Sequence, residues 1–213
     1  MTDENAGAGL GLDGTVPAPA PHALVADIKN DIVGPLSVAE CYALADLAAA
    51  TTAHAALEVG HYLGLSTSVL LTSLPASCSL VTVDHHEGDD WCPATSFDTF
   101  LDNVTLYVGQ RKFTPIRADM ADALPTLLGR FGFVFYDGDH TAAAVADFWE
   151  LAEPLLEDVC TLVFDDADWV EQSTLRTFAE DAGFEVVTGR PFVRTEGDKH
   201  DPDTYTLEVM RRA

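Results

Sequence analysis

Residues Phe133–Asp168, FVFYDGDHTAAAVADFWELAEPLLEDVCTLVFDDAD, contain two short apolar runs, each ending in carboxylates. FVFY (Phe133–Tyr136) and TLVF (Thr161–Phe164) are uncharged and β-prone, the composition of strands buried on both faces of a parallel sheet. The segment between them has the length of a crossover helix. A strand, a crossover helix and a parallel strand bring both carboxyl ends to one edge of the sheet, the edge where open α/β folds bind ligands. Asp137, Asp139, Asp165 and Asp166 are therefore expected to converge. Carboxylates so placed repel one another and raise some of their pKa values unless a cation or ligand neutralises them. An all-oxygen set favours Mg²⁺, Ca²⁺ or Mn²⁺. The plainer reading is that these acids mark polar loop starts in an acidic chain.

Outward from this stretch, the same rhythm repeats. Ser37 and Glu40 form a capping-box pattern ahead of an Ala- and Leu-rich helix reaching Ala50. AALEVG (Ala55–Gly60) reads as a strand, HYLG as a loop, and Ser66 or Thr67 as the cap of a helix ending near Pro75. LVTVD (Leu80–Asp84) is a second strand ending in an acid, followed by a helix around Phe97–Leu106. Phe113–Arg117 is a third strand, with Asp119 at its end and a helix over Met120–Leu128. After the fifth strand a helix is expected over about Glu171–Ala182. FEVVTG (Phe184–Gly189) and TYTLEVM (Thr204–Met210) are joined by a charged connection containing Pro and Gly, not by a helix, so they should pair antiparallel. The fold class is α/β, with a mixed sheet.

Composition bounds the partners. A chain of 213 residues with 47% hydrophobic content can bury one sizeable core. Residues 22–213 therefore read as a single domain, with residues 1–21, rich in Gly, Ala and Pro, as a flexible arm. The 11 basic and 35 acidic residues give a formal charge of −24, a field that opposes nucleic acid and anionic membranes. Cys41, Cys78, Cys92 and Cys160 lack the paired spacing of zinc or redox motifs, so reduced thiols are expected. No apolar run approaches the ~18 residues of a membrane helix, and the first residues are acidic, so a cytoplasmic protein is expected. A homo-oligomer is compatible with all of this.

Glu58-Val-Gly60-His-Tyr-Leu-Gly64 closes the first strand, and its glycines let the backbone turn and approach a ligand. The dinucleotide fingerprint has a glycine where Glu58 stands, and a carboxylate there disfavours pyrophosphate. It suits a cationic or hydroxyl-bearing ligand. Asp84, at the end of the second strand, is placed to accept hydrogen bonds from ribose hydroxyls, and Asp119 from an adenine amine.

The ordered set LEVGHYLGLST, LVTVD, RADMADAL, FVFYDGDHT and LVFDD resembles class I S-adenosylmethionine-dependent methyltransferases. Within these it is similar to the small-molecule O-methyltransferase group that includes macrocin O-methyltransferase-like and cephalosporin-hydroxylase-like proteins. The resemblance spans about residues 52–211. It implies a Rossmann-like fold with a mostly parallel seven-stranded sheet, an antiparallel C-terminal strand and helices on both faces. It implies S-adenosylmethionine as cofactor, with Glu58, Gly60, Gly64, Ser66 and Asp137 around its methionine and ribose portion, Asp84 on the ribose and Asp119 at the adenine. It implies Asp137, Asp165 and Asp166 as ligands of Mg²⁺ or another divalent cation. Relatives of the catechol O-methyltransferase type carry a lysine shortly after the first metal-binding Asp, and this chain has none between Lys112 and Lys199. Another base is required.

Methyl transfer to oxygen needs the acceptor in line with the methyl group and partly deprotonated. A cation can coordinate and acidify a hydroxyl of a small-molecule acceptor, a sugar or other natural-product intermediate, while Asp139 or His140 takes the proton. His140 can equally be a helix-start residue with local hydrogen bonds. His85 and His86 read as solvated loop residues or as neighbours of the adenine. Trp149 belongs to the core, and Trp91 and Trp169 are candidates for the acceptor pocket. Two alternatives stand beside this reading: a metal-dependent hydrolase using the same acids to activate water, and a noncatalytic cofactor-binding protein of the same fold.

Overall fold

The computed structural model describes residues 22–88, 93–166, 173–192 and 205–212. Seven helices and seven strands follow the order α1 (His22–Asp31), α2 (Val38–Ala50), β1 (Ala55–Val59), α3 (Leu65–Ser73), β2 (Ser79–Asp84), α4 (Phe97–Val108), β3 (Phe113–Arg117), α5 (Met120–Ala123), β4 (Phe131–Tyr136), α6 (Ala142–Ala152), β5 (Leu156–Phe164), α7 (Ser173–Asp181), β6 (Glu185–Phe192) and β7 (Tyr205–Arg212). The sheet order is β3-β2-β1-β4-β5-β7-β6. Strands β1 to β5 are parallel, and β7 inserts antiparallel between β5 and β6. The chain begins the sheet at β1, builds outward through β2 and β3, then returns to place β4 on the other side of β1. That reversal opens a crevice at the carboxyl ends of β1 and β4.

Alternation along the strands divides the interior into two cores. Ala56, Leu80, Phe133, Phe135 and Val163 face α1 to α4, while Leu57, Val59, Val134, Tyr136, Leu162 and Phe164 face the layer of α5 to α7. Both faces of β4 are buried at every position, which explains why its sequence is apolar without alternation.

The capping box of α2 forms as expected: Ser37 Oγ accepts from Glu40 N and Glu40 Oε2 accepts from Ser37 N at 2.6 Å. The helix expected over Met120–Leu128 is only one α turn, followed by a 3-10 turn over Leu124–Thr126. Leu124 is still in the α region, but Pro125 has no N–H to give to the carbonyl four residues back, so the α ladder cannot continue. Strand β5 starts five residues before the expected Thr161, pairing Leu156 with Phe131. Helix α1 was not expected; it buries Val25 and Ile28 and stacks the His22 ring on Tyr42 of α2 at 4.3 Å. Among the described residues no helix is long and apolar enough to cross a membrane. The described cysteines Cys41, Cys78 and Cys160 are buried free thiols; Cys92, the arm of residues 1–21, and Trp91 and Trp169 lie outside the described residues.

Candidate functional site

A cleft of about 470 Å³ lies at the carboxyl ends of the parallel strands, its wall including Gly60, Ser66, Asp84, Asp119, Asp137, Asp139, His140, Asp165 and Asp166. Most of the side chains singled out in the sequence thus meet at one place. Glu58 and Gly64 stand behind its surface.

The loop from β1 to α3 is built on close backbone approach. Gly60 has φ +83°, and a Cβ there would lie 1.9 Å from the carbonyl oxygen of Asp137 and 2.8 Å from the nitrogen of Gly138. Its neighbour is the exit of β4, so this glycine joins the two halves of the crevice. Asp137 N donates to Val59 O and Gly60 N to Val83 O, both at 2.9 Å, extending the parallel ladders past the strand ends. Gly64 has φ +92°, and its missing Cβ makes room for Val104 of α4.

Two expectations change here. Neither Ser66 nor Thr67 caps α3: Gly64 holds the cap position without a side-chain bond, and both residues lie within the first turn of the helix. Thr67 turns instead to Glu58, whose Oε2 accepts from Thr67 Oγ1 at 2.6 Å, while Glu58 Oε1 is buried without a partner and Ser66 borders the cleft. Glu58 shares the strand face of Ala56, the face covered by α2 and α3, so its side chain lies under α3 and away from the cleft surface. Its complete burial raises the carboxyl to about 8, with the nearby Ser66 and Thr67 hydroxyls opposing that rise. Glu58 therefore ties β1 to α3.

Asp84 ties the second strand to the same loop. Its Oδ2 accepts from His61 N at 2.9 Å and Tyr62 N at 2.8 Å, and its Oδ1 accepts from His86 N at 2.7 Å. Burial alone would raise this carboxyl, but the His61 imidazole and the three N–H donors outweigh it and hold Asp84 below the usual carboxylate range. His86 is not the solvated residue that a loop position suggests. It is 3% exposed, its Nε2 lies 2.9 Å from His61 Nε2 and its Nδ1 2.8 Å from Thr95 Oγ1. His61 stacks on Phe100 with centroids 3.9 Å apart, and burial pushes it down to about 3. Both imidazoles are thus neutral near pH 7, one Nε2–H donating to the other ring. Asp119 caps α5, its Oδ1 accepting from Ala121 N at 2.7 Å.

At the ends of β4 and β5, Tyr136 O–H donates to the Asp139 carbonyl at 2.7 Å and shapes the Asp137–His140 turn. Asp139 is exposed and spends Oδ1 on Thr141 N. His140 points between two acids: Nδ1 is 3.4 Å from Asp166 Oδ2 and Nε2 is 3.8 Å from Asp137 Oδ1. Asp165 is 4% exposed. Burial first, then the charges of Asp137, Asp166 and Glu40, push its carboxyl well above the ordinary value, and it hydrogen-bonds Asp137. Asp165 Oδ1 is buried without a hydrogen-bond partner. The donor chemistry suits a hard cation. Among the described residues, however, no three His, Cys, Asp or Glu side chains already stand at metal-ligand spacing, so a cation would have to draw the carboxylates inward.

Two wall residues were missed in the sequence. Glu40 looked complete as a capping-box acid, yet it also borders the cleft and lies within electrostatic reach of Asp165. His61, inside the glycine loop, gave no signal because its partners His86 and Phe100 are distant in the chain. Trp149 packs against Phe178 and Phe184 as a core residue.

The match to known proteins agrees with this architecture. The family model described as "Methyltransferase domain" matches residues 57–167, just over half of the chain. No curated protein matches. Among solved structures, an O-methyltransferase from Bacillus cereus in complex with SAH superposes with a TM-score of 0.60 at 18% identity, covering 92% of this chain and 93% of that one. TomG from Streptomyces achromogenes, an O-methyltransferase involved in tomaymycin synthesis solved with SAM, gives 0.60 at 21%, covering 90% and 89%. The cofactor-bound protein Rv0187 from MTB gives 0.60 at 22%, covering 95% and 93%. At these identities the structures speak for the fold and the family model for the class: the chain belongs to the methyltransferase-domain family and has the class I S-adenosylmethionine-dependent methyltransferase fold.

Proposed function

We propose that this chain transfers a methyl group from S-adenosylmethionine to a hydroxyl of a small molecule, with help from a divalent cation. The observation that carries the reading is the cleft itself, which sits at the β1/β4 reversal with acids from successive strand ends on its wall. Asp84 has one Oδ1 lone pair beyond its three backbone donors for a ribose hydroxyl, and Asp119 lies at the next strand end for the adenine amine. Gly60, Ser66 and the N-terminal turn of α3 would face the methionine portion, with the Glu58–Thr67 bond fixing that helix from behind. The O-methyltransferases from Bacillus cereus and Streptomyces achromogenes were solved with SAH and SAM respectively, which supports the cofactor choice. A methyltransferase family favours transfer over the hydrolase alternative.

Asp137, Asp165 and Asp166 would hold Mg²⁺ or a similar ion, which when bound would act as a Lewis acid toward the acceptor hydroxyl. The buried, unpartnered Asp165 Oδ1 supports that assignment. S-adenosylmethionine, when bound, would supply the methyl group from its sulfonium, the acceptor oxygen taking the carbon as the carbon–sulfur bond breaks to leave a neutral thioether. The acceptor proton goes to a base in the cleft. His140 is better oriented for this than Asp139: its ring lies between Asp137 and Asp166, whereas Asp139 is exposed and engaged in its turn.

Calorimetric titration with S-adenosylmethionine, then transfer of labelled methyl to a panel of hydroxylated natural-product intermediates with and without chelator, tests the reading. Cofactor binding with chelator-sensitive methyl transfer is expected. Full turnover in verified metal-free enzyme would remove the cation, and failure to bind the cofactor would remove the function.

A further inference from the structure

We propose that the methyl acceptor carries a protonated amine and that Glu40 seats it. This deepens the methyltransferase reading and rests on it. Glu40 is only 1% exposed. One carboxylate oxygen, Oε2, is satisfied by Ser37 N, but Oε1 is buried with no hydrogen-bond partner, and the residue forms part of the cleft wall beside Gly34 and Leu36. A buried carboxylate oxygen without a donor is costly, and a donor entering the cleft would remove that cost. The capping box needs one oxygen of Glu40. The second is surplus to the helix, and its residue borders the cleft within electrostatic reach of Asp165.

Charge selects the donor. On the acceptor side the wall carries Glu40, Asp137, Asp139, Asp147, Asp165 and Asp166, and among the described residues the cleft is lined by no Lys or Arg. Even with a divalent cation and the cofactor's sulfonium in place, acids outnumber positive charges. A phosphorylated or carboxylated acceptor would enter against this field with no Lys or Arg among the described lining residues to receive it. A neutral polyol would satisfy Oε1 but leave the charge uncompensated. An ammonium does both, and the formal charge of −24 on the whole chain draws cations toward the cleft mouth. The acceptor class is therefore an amine-bearing hydroxylated small molecule, such as an amino sugar or a phenolic amine.

The test uses the full chain with Mg²⁺ and S-adenosylhomocysteine and two matched trios of probes: dopamine, 4-methylcatechol and 3,4-dihydroxyphenylacetate; glucosamine, glucose and glucuronate. Dissociation constants are measured for the protein and for Glu40→Gln, which keeps a capping-box side chain at that position. In at least one trio the amine should bind roughly ten- to hundredfold tighter than the neutral member, the usual range for a charge-assisted contact, with the acid weakest. That advantage should weaken with salt and fall below about threefold in Glu40→Gln. Equal or reversed order in both trios, no measurable amine binding, or an advantage untouched by Glu40→Gln overturns the proposal. Loss of Mg²⁺ affinity in Glu40→Gln with the amine advantage intact would make Glu40 a metal ligand and also overturn it. S-adenosylhomocysteine is titrated separately. If it fails to bind, the methyltransferase reading falls, while the amine order measured without it still decides the role of Glu40.

Discussion

Gly60→Ala separates two costs that glycine avoids in the β1–α3 loop. The first is conformational: at φ +83° a residue with a Cβ is strained by about 1–2 kcal/mol. The second is steric, because the new methyl would stand 1.9 Å from Asp137 O and 2.5 Å from Asp137 C. Those atoms belong to backbone held in a ladder by Asp137 N donating to Val59 O, so they cannot rotate away. Overpacking of this kind costs about 1–3 kcal/mol more. The total, about 2–5 kcal/mol, is a large part of the ~5–15 kcal/mol by which a domain is stable. Gly183→Ala is the control, since Gly183 has φ +85° and no atom within 4 Å of an added Cβ; it should show the conformational cost alone. Urea unfolding at constant m-value measures the difference, expected near 2 kcal/mol. Because Asp137 and Gly138 must retreat for the methyl to fit, Gly60→Ala should also weaken S-adenosylmethionine binding, while Gly183→Ala should leave it unchanged. Equal destabilisation by the two substitutions, with cofactor affinity intact in both, would refute the claim that Gly60 is required by contact between the two halves of the crevice.

Three further outcomes are expected. Glu58 has a folded pKa raised to about 8 from 4.5, so its contribution to stability is fully present below about 4.5 and is lost as pH rises through about 8; Glu58→Gln should remove that downward slope in unfolding free energies measured across pH 4.5–8, and an unchanged slope would show that Glu58 is not its source. Asp84 is depressed, so its contribution is present above the ordinary carboxylate range and lost as pH falls through the folded value; Asp84→Asn should reduce stability at pH 6 relative to pH 2 and weaken cofactor binding by about 1–3 kcal/mol, and unchanged calorimetric affinity would take Asp84 out of the site. His140→Ala should slow single-turnover methyl transfer roughly 10²- to 10⁴-fold with cofactor affinity retained, whereas Asp139→Asn should stay within about tenfold, and the reverse ranking would return the base to Asp139.

The strand-end acids were readable because parallel strands impose two constraints at once. Burial on both faces makes the strands apolar runs, and parallel direction places every following loop on one edge. Asp137 and Asp165 directly follow such runs, Asp84 is the last residue of one, and Asp119 stands two residues past the half-exposed β3, so a one-dimensional pattern located them in three dimensions. Glu58 shows where that logic fails. It stands one residue before its strand ends, and the alternation that makes Leu57 and Val59 face α5 to α7 turns Glu58 under α3. An acid inside a strand is governed by its face, whereas an acid after a strand is governed by the edge. Glu40 and His61 illustrate a second limit. Glu40 had a complete local explanation in its capping box, and only the approach of Asp165 from 125 residues away makes its other oxygen matter. His61 depends on His86 and Phe100 across two crossovers. Both side chains come from α2 and the β1–α3 loop, where no periodicity connects a residue to its partner. The strand-end acids were therefore legible from local pattern, whereas Glu40 and His61 acquire their surroundings only when distant segments meet, which no motif records.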